Sequence, residues 1–145
     1  MNYSFRLKRF LFNAFREIFI QHHNSLEFRA KIFALVLSAK DTVSINEYIV
    51  VKRLAMDIYK EDEERASLLM IATKEIRKKI EDDNKDVSET LINSIQKELK
   101  VLPTYAKKID VDSLQHLILP SNDEDTISYQ ENILEFLQTT KDELN

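Results

Sequence analysis

Ile32-Phe33-Ala34-Leu35-Val36-Leu37 is the stretch on which the fold turns. Six apolar residues in succession show neither the alternation of a half-exposed strand nor the single stripe of a surface helix. What flanks and surrounds them decides. Asn24, with Glu27 three residues on, is a capping pair that opens a helix just upstream. The chain of 145 residues also contains no Gly, and only Pro103 and Pro120. Without Gly, tight hairpin turns that need positive φ are hard to build, which argues against a β-rich fold. The run is therefore read as a helix that is apolar on every side, the central and buried element of an all-α domain.

Helix signals continue in both directions. Upstream, residues 3–22 read as an amphipathic first helix: Phe5, Phe12 and Phe19 recur at heptad spacing, with Leu11, Phe15 and Ile18 on the same broad face. Downstream, a break at Lys40 to Val43 precedes a helix from Ser44 to about Tyr59. An acidic link, Lys60 to Glu63, leads to a helix ending near Ile80 in the basic Arg77, Lys78 and Lys79, a charge order that suits the helix dipole. Asp86 and Glu89 cap a further helix to about Leu99, and Pro103 forces a break. A short helix over Asp112 to Leu119 stops at Pro120, and a last helix is expected over Ser128 to Leu144. The expectation is a single compact bundle of six to seven helices: an amphipathic basic helix over 1–23, and the bundle proper over 24–145.

Composition and charge narrow the function classes. Apolar residues make up 43% of the chain and charged residues 32%, a globular balance. The absence of Cys excludes disulfides, thiolate metal sites and cysteine nucleophiles, and accords with a reducing compartment. Arg6, Lys8, Arg9, Arg16 and Glu17 interrupt the early apolar stretch, so it reads as neither a membrane span nor a signal peptide, and the chain is expected to be cytoplasmic. Residues 1–40 hold seven Lys or Arg against two Glu, +5, which leaves −9 for the remainder of a chain whose formal charge is −4. A weakly acidic whole argues against nucleic acid as a ligand.

One internal repeat stands out. Lys40-Asp41-Thr42-Val43-Ser44-Ile45-Asn46-Glu47-Tyr48-Ile49 realigns on Glu124-Asp125-Thr126-Ile127-Ser128-Tyr129-Gln130-Glu131-Asn132-Ile133. The Asp, Thr, Ser, Glu and final Ile are identical. Ser-x-x-Glu is a capping box, in which Ser accepts from the third helical N–H and Glu reaches back to the cap residue. Val43 with Tyr48 adds a hydrophobic staple in the first copy. Capping accounts for Ser and Glu, but not for the Asp-Thr-aliphatic that precedes both.

This pattern resembles the TerB-like (tellurite-resistance TerB) family, whose members carry Ala-Asp-Gly-x-(Ile/Val)-Ser-x-x-Glu after an apolar helix and again near the carboxyl end. Here it reads Ala39, Lys40, Asp41, Thr42, Val43, Ser44, Glu47. The resemblance implies a non-enzymatic, stress-associated accessory domain that acts through partner proteins or through divalent cations at acidic loops. Asp41, Glu47, Asp123, Glu124, Asp125 and Glu131 are then the candidate cluster, offering oxygen ligands of the kind Ca²⁺ or Mg²⁺ takes. Lys40 and Asp41 stand where the family pattern has Asp and Gly, so a positive charge replaces one carboxylate. The alternative for the same cluster is a solvated acidic edge.

Catalytic signals are missing. The chain has no Gly-rich phosphate loop, no nucleophile elbow and no His-Glu-x-x-His. His22 and His23 read as a helix-end pair that complements the dipole, and His116, within the apolar Leu114 to Leu119, as partly buried. A second binding surface is open: Arg6, Lys8, Arg9, Phe12 and Arg16 form a basic, Phe-rich face that either docks on an anionic membrane or a partner, or packs on the chain's own bundle.

Overall fold

A computed structural model describes residues 24–144 of the chain. The expected helix over 3–22, with Arg6, Lys8, Arg9, Phe12 and Arg16, and the His22–His23 pair lie outside them, as does the cap assigned to the Asn24 side chain. Among the described residues there are six α-helices, two 3-10 turns and no strand, so the fold is an all-α bundle around one contiguous core.

Helix α1, Asn24–Leu37, is its axis. Phe28, Leu35, Val36 and Leu37 have no exposed surface, and Ile32, Phe33 and Ala34 almost none. The apolar run is enclosed because other elements cover it from several directions. α3 (Glu63–Asp82), α4 (Val87–Val101), a 3-10 turn over Pro103–Lys108 and α6 (Glu124–Leu144) all pack on α1, while α2 (Ile45–Ile58) lies chiefly on α3. Each outer helix shows the core one stripe: Val51, Leu54 and Ala55 from α2, Leu91, Ile95 and Leu99 from α4, Ile133, Leu134 and Leu137 from α6. These are the i, i+3, i+4 spacings that a helix with one wet face requires. Phe28 also meets the Tyr105 ring at 5.4 Å between centroids, which fixes the 3-10 turn against the first turns of α1.

Two helices stop without Gly. The end of α2 is a Schellman motif in which Glu61 N–H donates to Met56 carbonyl at 2.8 Å and Lys60 sits at φ 51. The end of α3 repeats it: Lys85 N–H donates to Ile80 carbonyl at 3.2 Å, and Asn84 takes φ 57. Asn tolerates the left-handed conformation, whereas Lys60 and its neighbour Glu61, at φ 68, hold it against the Cβ clash. Lys60→Gly is therefore expected to stabilise the chain by about 0.5 kcal/mol, the relief of the clash exceeding the entropy that Gly returns to the unfolded chain. The urea midpoint should rise at constant slope. A fall would show that the Lys60 side chain makes contacts worth more than the strain.

Four expectations are corrected. The last helix begins at Glu124, not Ser128, because the Asp123 carboxylate accepts from Thr126 N–H at 2.7 Å and starts the helix four residues early. Ser128 then lies inside α6 and exposed, so the second Ser-x-x-Glu is no capping box. The short helix before Pro120 is α5, Val111–Leu114, capped by Asp110 and tightening at once into a second 3-10 turn, Gln115–Leu117. That tightening turns His116 outward: it is exposed, while Leu114 and Leu117 on either side are buried. Elsewhere the breaks fall where the sequence puts them, with α4 ending at Val101 and Pro103 opening the 3-10 turn, where its missing N–H costs nothing.

Candidate functional site

The turn between α1 and α2 is built by two cations. α1 ends at Leu37 with its last carbonyls lacking partners inside the helix, as every helix must leave them, and Leu37 carbonyl takes the Lys40 N–H at 3.1 Å from the turn. Arg77, on the far turn of α3, supplies the donors: Nη1 donates to Leu37 carbonyl at 2.9 Å, and Nη2 to the carbonyls of Lys40 and Asp41. Nε donates to Glu81 at 2.6 Å, which orients the guanidinium. Arg77 is only 8% exposed, so it is not the solvated basic tail that the Arg77-Lys78-Lys79 run suggests. Its charge also sits at the negative end of the α1 dipole.

Lys40 is the second cation. Its Nζ donates to Glu47 Oε1 at 2.7 Å and to Asn122 Oδ1 at 3.0 Å, tying the start of α2 to the loop before α6. Glu47 is a buried carboxylate, 1% exposed. The same Oε1 accepts from Ser44 N–H at 3.1 Å and from Ser44 Oγ, while Glu47 N–H donates back to Ser44 Oγ at 3.4 Å. The first repeat is thus a complete capping box. Its Val43 and Tyr48 both pack on the core, as the staple requires. Burial holds the Tyr48 phenol above its ordinary pKa.

The second repeat meets the first through polar side chains that spacing did not single out. Gln130 is fully buried; its Nε2 donates to Val36 carbonyl at 3.2 Å and its Oε1 accepts from Asn122 Nδ2 at 3.3 Å. A signal for it existed, because Gln130 lies three, four and seven residues before the buried Ile133, Leu134 and Leu137 and so on their face. The carboxylates of the candidate cluster are arranged differently from one another. Glu47 is inside. Asp41, Asp123, Glu124, Asp125 and Glu131 are exposed, and Asp123 lies within the field of Lys40. Among the described residues, no three His, Asp or Glu converge in a way that would hold a metal.

No family model, curated protein or solved structure matches this chain. Its chemistry therefore rests on the geometry. The turn between α1 and α2, with the loop before α6 that Lys40 ties to it, forms an elbow, and its outer surface carries Ile45, 76% exposed, and Ile49, one turn on, 46%. They stand on the first turns of α2, two positions either side of the buried Glu47 and so on the opposite face of the helix from it, while Lys40 ties the Glu47 side to Asn122 in the loop before α6. No described helix is long and apolar enough to cross a membrane.

Two helix caps contribute to the response to acid. Backbone and side-chain hydrogen bonds from Thr126, with the charge of Lys40 adding to them, hold the Asp123 carboxyl below its ordinary pKa. The N–H of Glu89 and the hydroxyl of Ser88 do the same for Asp86. A depressed folded-state pKa gives stability that is complete above the unfolded value and is lost as pH falls through the folded one. Both caps should therefore weaken below about pH 4. Asp86→Asn with Asp123→Asn, which caps without titrating, is expected to flatten the acid limb of the stability–pH curve; an unchanged limb would assign it to other carboxylates.

Proposed function

We propose that the chain is a non-catalytic, TerB-like accessory domain of the stress-associated kind that works by binding another protein, with the contact made at the elbow end of the bundle. Support for the TerB-like reading comes from the meeting of the two Asp-Thr-aliphatic-Ser-x-x-Glu segments at one end of a helical bundle, with Lys40 bridging Glu47 and Asn122. The observation that carries the binding reading is the exposed Ile45–Ile49 pair on the first turns of α2. An apolar pair on a stretch, residues 41–145, that carries a net −9 suits a partner segment that is basic and amphipathic, since charge of opposite sign guides encounter while apolar burial holds the complex. Divalent-cation binding at the same end has less support, because the Lys40 ammonium already sits between Glu47 and Asn122.

Replacing Ile45 and Ile49 by Asp tests this reading. Both side chains are exposed, so the fold should be unaffected to within about 0.5 kcal/mol. A partner captured by the native chain at physiological salt should be lost by the double variant, and capture of the same partner by both would end the assignment. Calorimetric titration with Ca²⁺, Mg²⁺ and Mn²⁺ addresses the cation alternative directly; heat at millimolar metal would move the function to the acidic loops. For the other surface, Arg6, Lys8, Arg9, Phe12 and Arg16, co-sedimentation with anionic vesicles discriminates lipid from protein.

A further inference from the structure

α6 shows the core an apolar stripe, Ile133, Leu134 and Leu137, with one polar side chain in line, Gln130, which has no exposed surface. Burying an amide costs free energy unless its donors and acceptor are met, and an apolar side chain would fill the same place at no such cost. Apolar packing alone holds α6 loosely along its axis. Were the helix moved by three residues, Ile133, Phe136 and Leu137 would come to the places of Gln130, Ile133 and Leu134, and Thr140 to that of Leu137. Three of those four places would be apolar, as three are now. Movement the other way is excluded by packing itself, because it would bury Glu131 in the place of Leu134.

Two polar pins separate the native register from its neighbour. Gln130 Nε2 donates to Val36 carbonyl at 3.2 Å, one of the last four carbonyls of α1, which find no partner inside the helix. Further along α6, Lys141 Nζ donates to Ile109 carbonyl at 2.7 Å, just past the 3-10 turn over Pro103–Lys108. The three-residue move would set Ile133 against the first carbonyl and Leu144 against the second, and neither side chain has a donor. A further tie of α6, Tyr129 Oη donating to Ser88 Oγ at 3.0 Å, is exposed, so water can replace it.

We propose that Gln130 is the register key of α6, seconded by Lys141, and through that register a positioning residue of the elbow. Gln130 Oε1 accepts from Asn122 Nδ2 at 3.3 Å, and Asn122 Oδ1 accepts from Lys40 Nζ at 3.0 Å. A slip of three residues would carry the start of α6, and Asn122 with it, about 4.5 Å along the axis and out of reach of Lys40. Fixing register at a cost in stability is the best-attested use of a lone buried polar side chain. The key rests on the elbow's geometry and is independent of what binds there.

Relaxation dispersion on the amide resonances of the free chain reads this directly, since helix register shifts fall in the μs–ms window. The native chain should give flat profiles along α6. In Gln130→Leu a second state of about 1–10% should appear, with dispersion in α6 and residues 121–123 and none in residues 63–72 of α3, a helix that lies chiefly on α1 and α2. Lys141→Met, at a partly exposed position, should show the same exchange at lower population, and the double variant more than either. Flat profiles in all three variants would overturn the proposal, because packing would then set the register. Dispersion that also covers residues 63–72 would overturn it too, as would a Gln130→Leu chain that does not fold beside a Lys141→Met chain with flat profiles, since Gln130 would then serve stability alone.

Discussion

Arg77→Ala is expected to cost about 3 kcal/mol of stability and to lower the melting temperature by about 10 °C. The side chain satisfies three carbonyls at the end of α1 and on into the turn, two of which belong to the elbow itself. Removing it takes the side-chain donor from the Lys40 and Asp41 carbonyls and leaves Leu37 carbonyl only the Lys40 N–H, at a penalty of about 1 kcal/mol or more for each one that water cannot reach. Arg77→Lys should recover little, because an ammonium cannot serve carbonyls and the Glu81 carboxylate from one plane. A loss under about 1 kcal/mol for Arg77→Ala would mean that the turn has another source of rigidity.

The second large effect concerns charge rather than hydrogen-bond count. Lys40→Met should cost about 2 kcal/mol, because it strands the Glu47 carboxylate inside the protein. That figure lies below the range for a fully buried pair because Lys40 keeps 23% of its side chain exposed. Glu47→Gln added to Lys40→Met removes the stranded charge and keeps an oxygen to accept from Ser44 N–H. The double variant is thus expected to be more stable than Lys40→Met alone, by about 1 kcal/mol in a double-mutant cycle on urea midpoints. Additive losses would show that the two side chains do not act as a pair.

Much of the bundle was legible because its signals are local. The run Ile32 to Leu37 could only be buried, Ser44 with Glu47 could only start a helix, and Pro103 could only interrupt one. The start of α6 was misread for an equally local reason. Asp123 and Ser128 both precede plausible helical turns, and the repeat drew the boundary to Ser128 although a carboxylate backed by two further acids caps as well. The site was harder to see. Arg77 sits 36 residues or more from the carbonyls it serves, and Lys40 is 82 from Asn122; no periodicity records such pairings. Lys40, where the two repeat segments differ in charge, proves in the structure to be the residue that bridges the two halves of the elbow.

The elbow requires the two repeat segments to lie together at one end of the bundle, and the absence of cysteine makes that directly measurable. A nitroxide on Asp41→Cys, an exposed position in the first segment, should broaden the amide resonances of residues 121–126 while leaving those of Lys107 and Lys108 sharp. Sharp resonances throughout 121–126 would place the segments apart and contradict the elbow, its Lys40 bridge and the binding surface built on it.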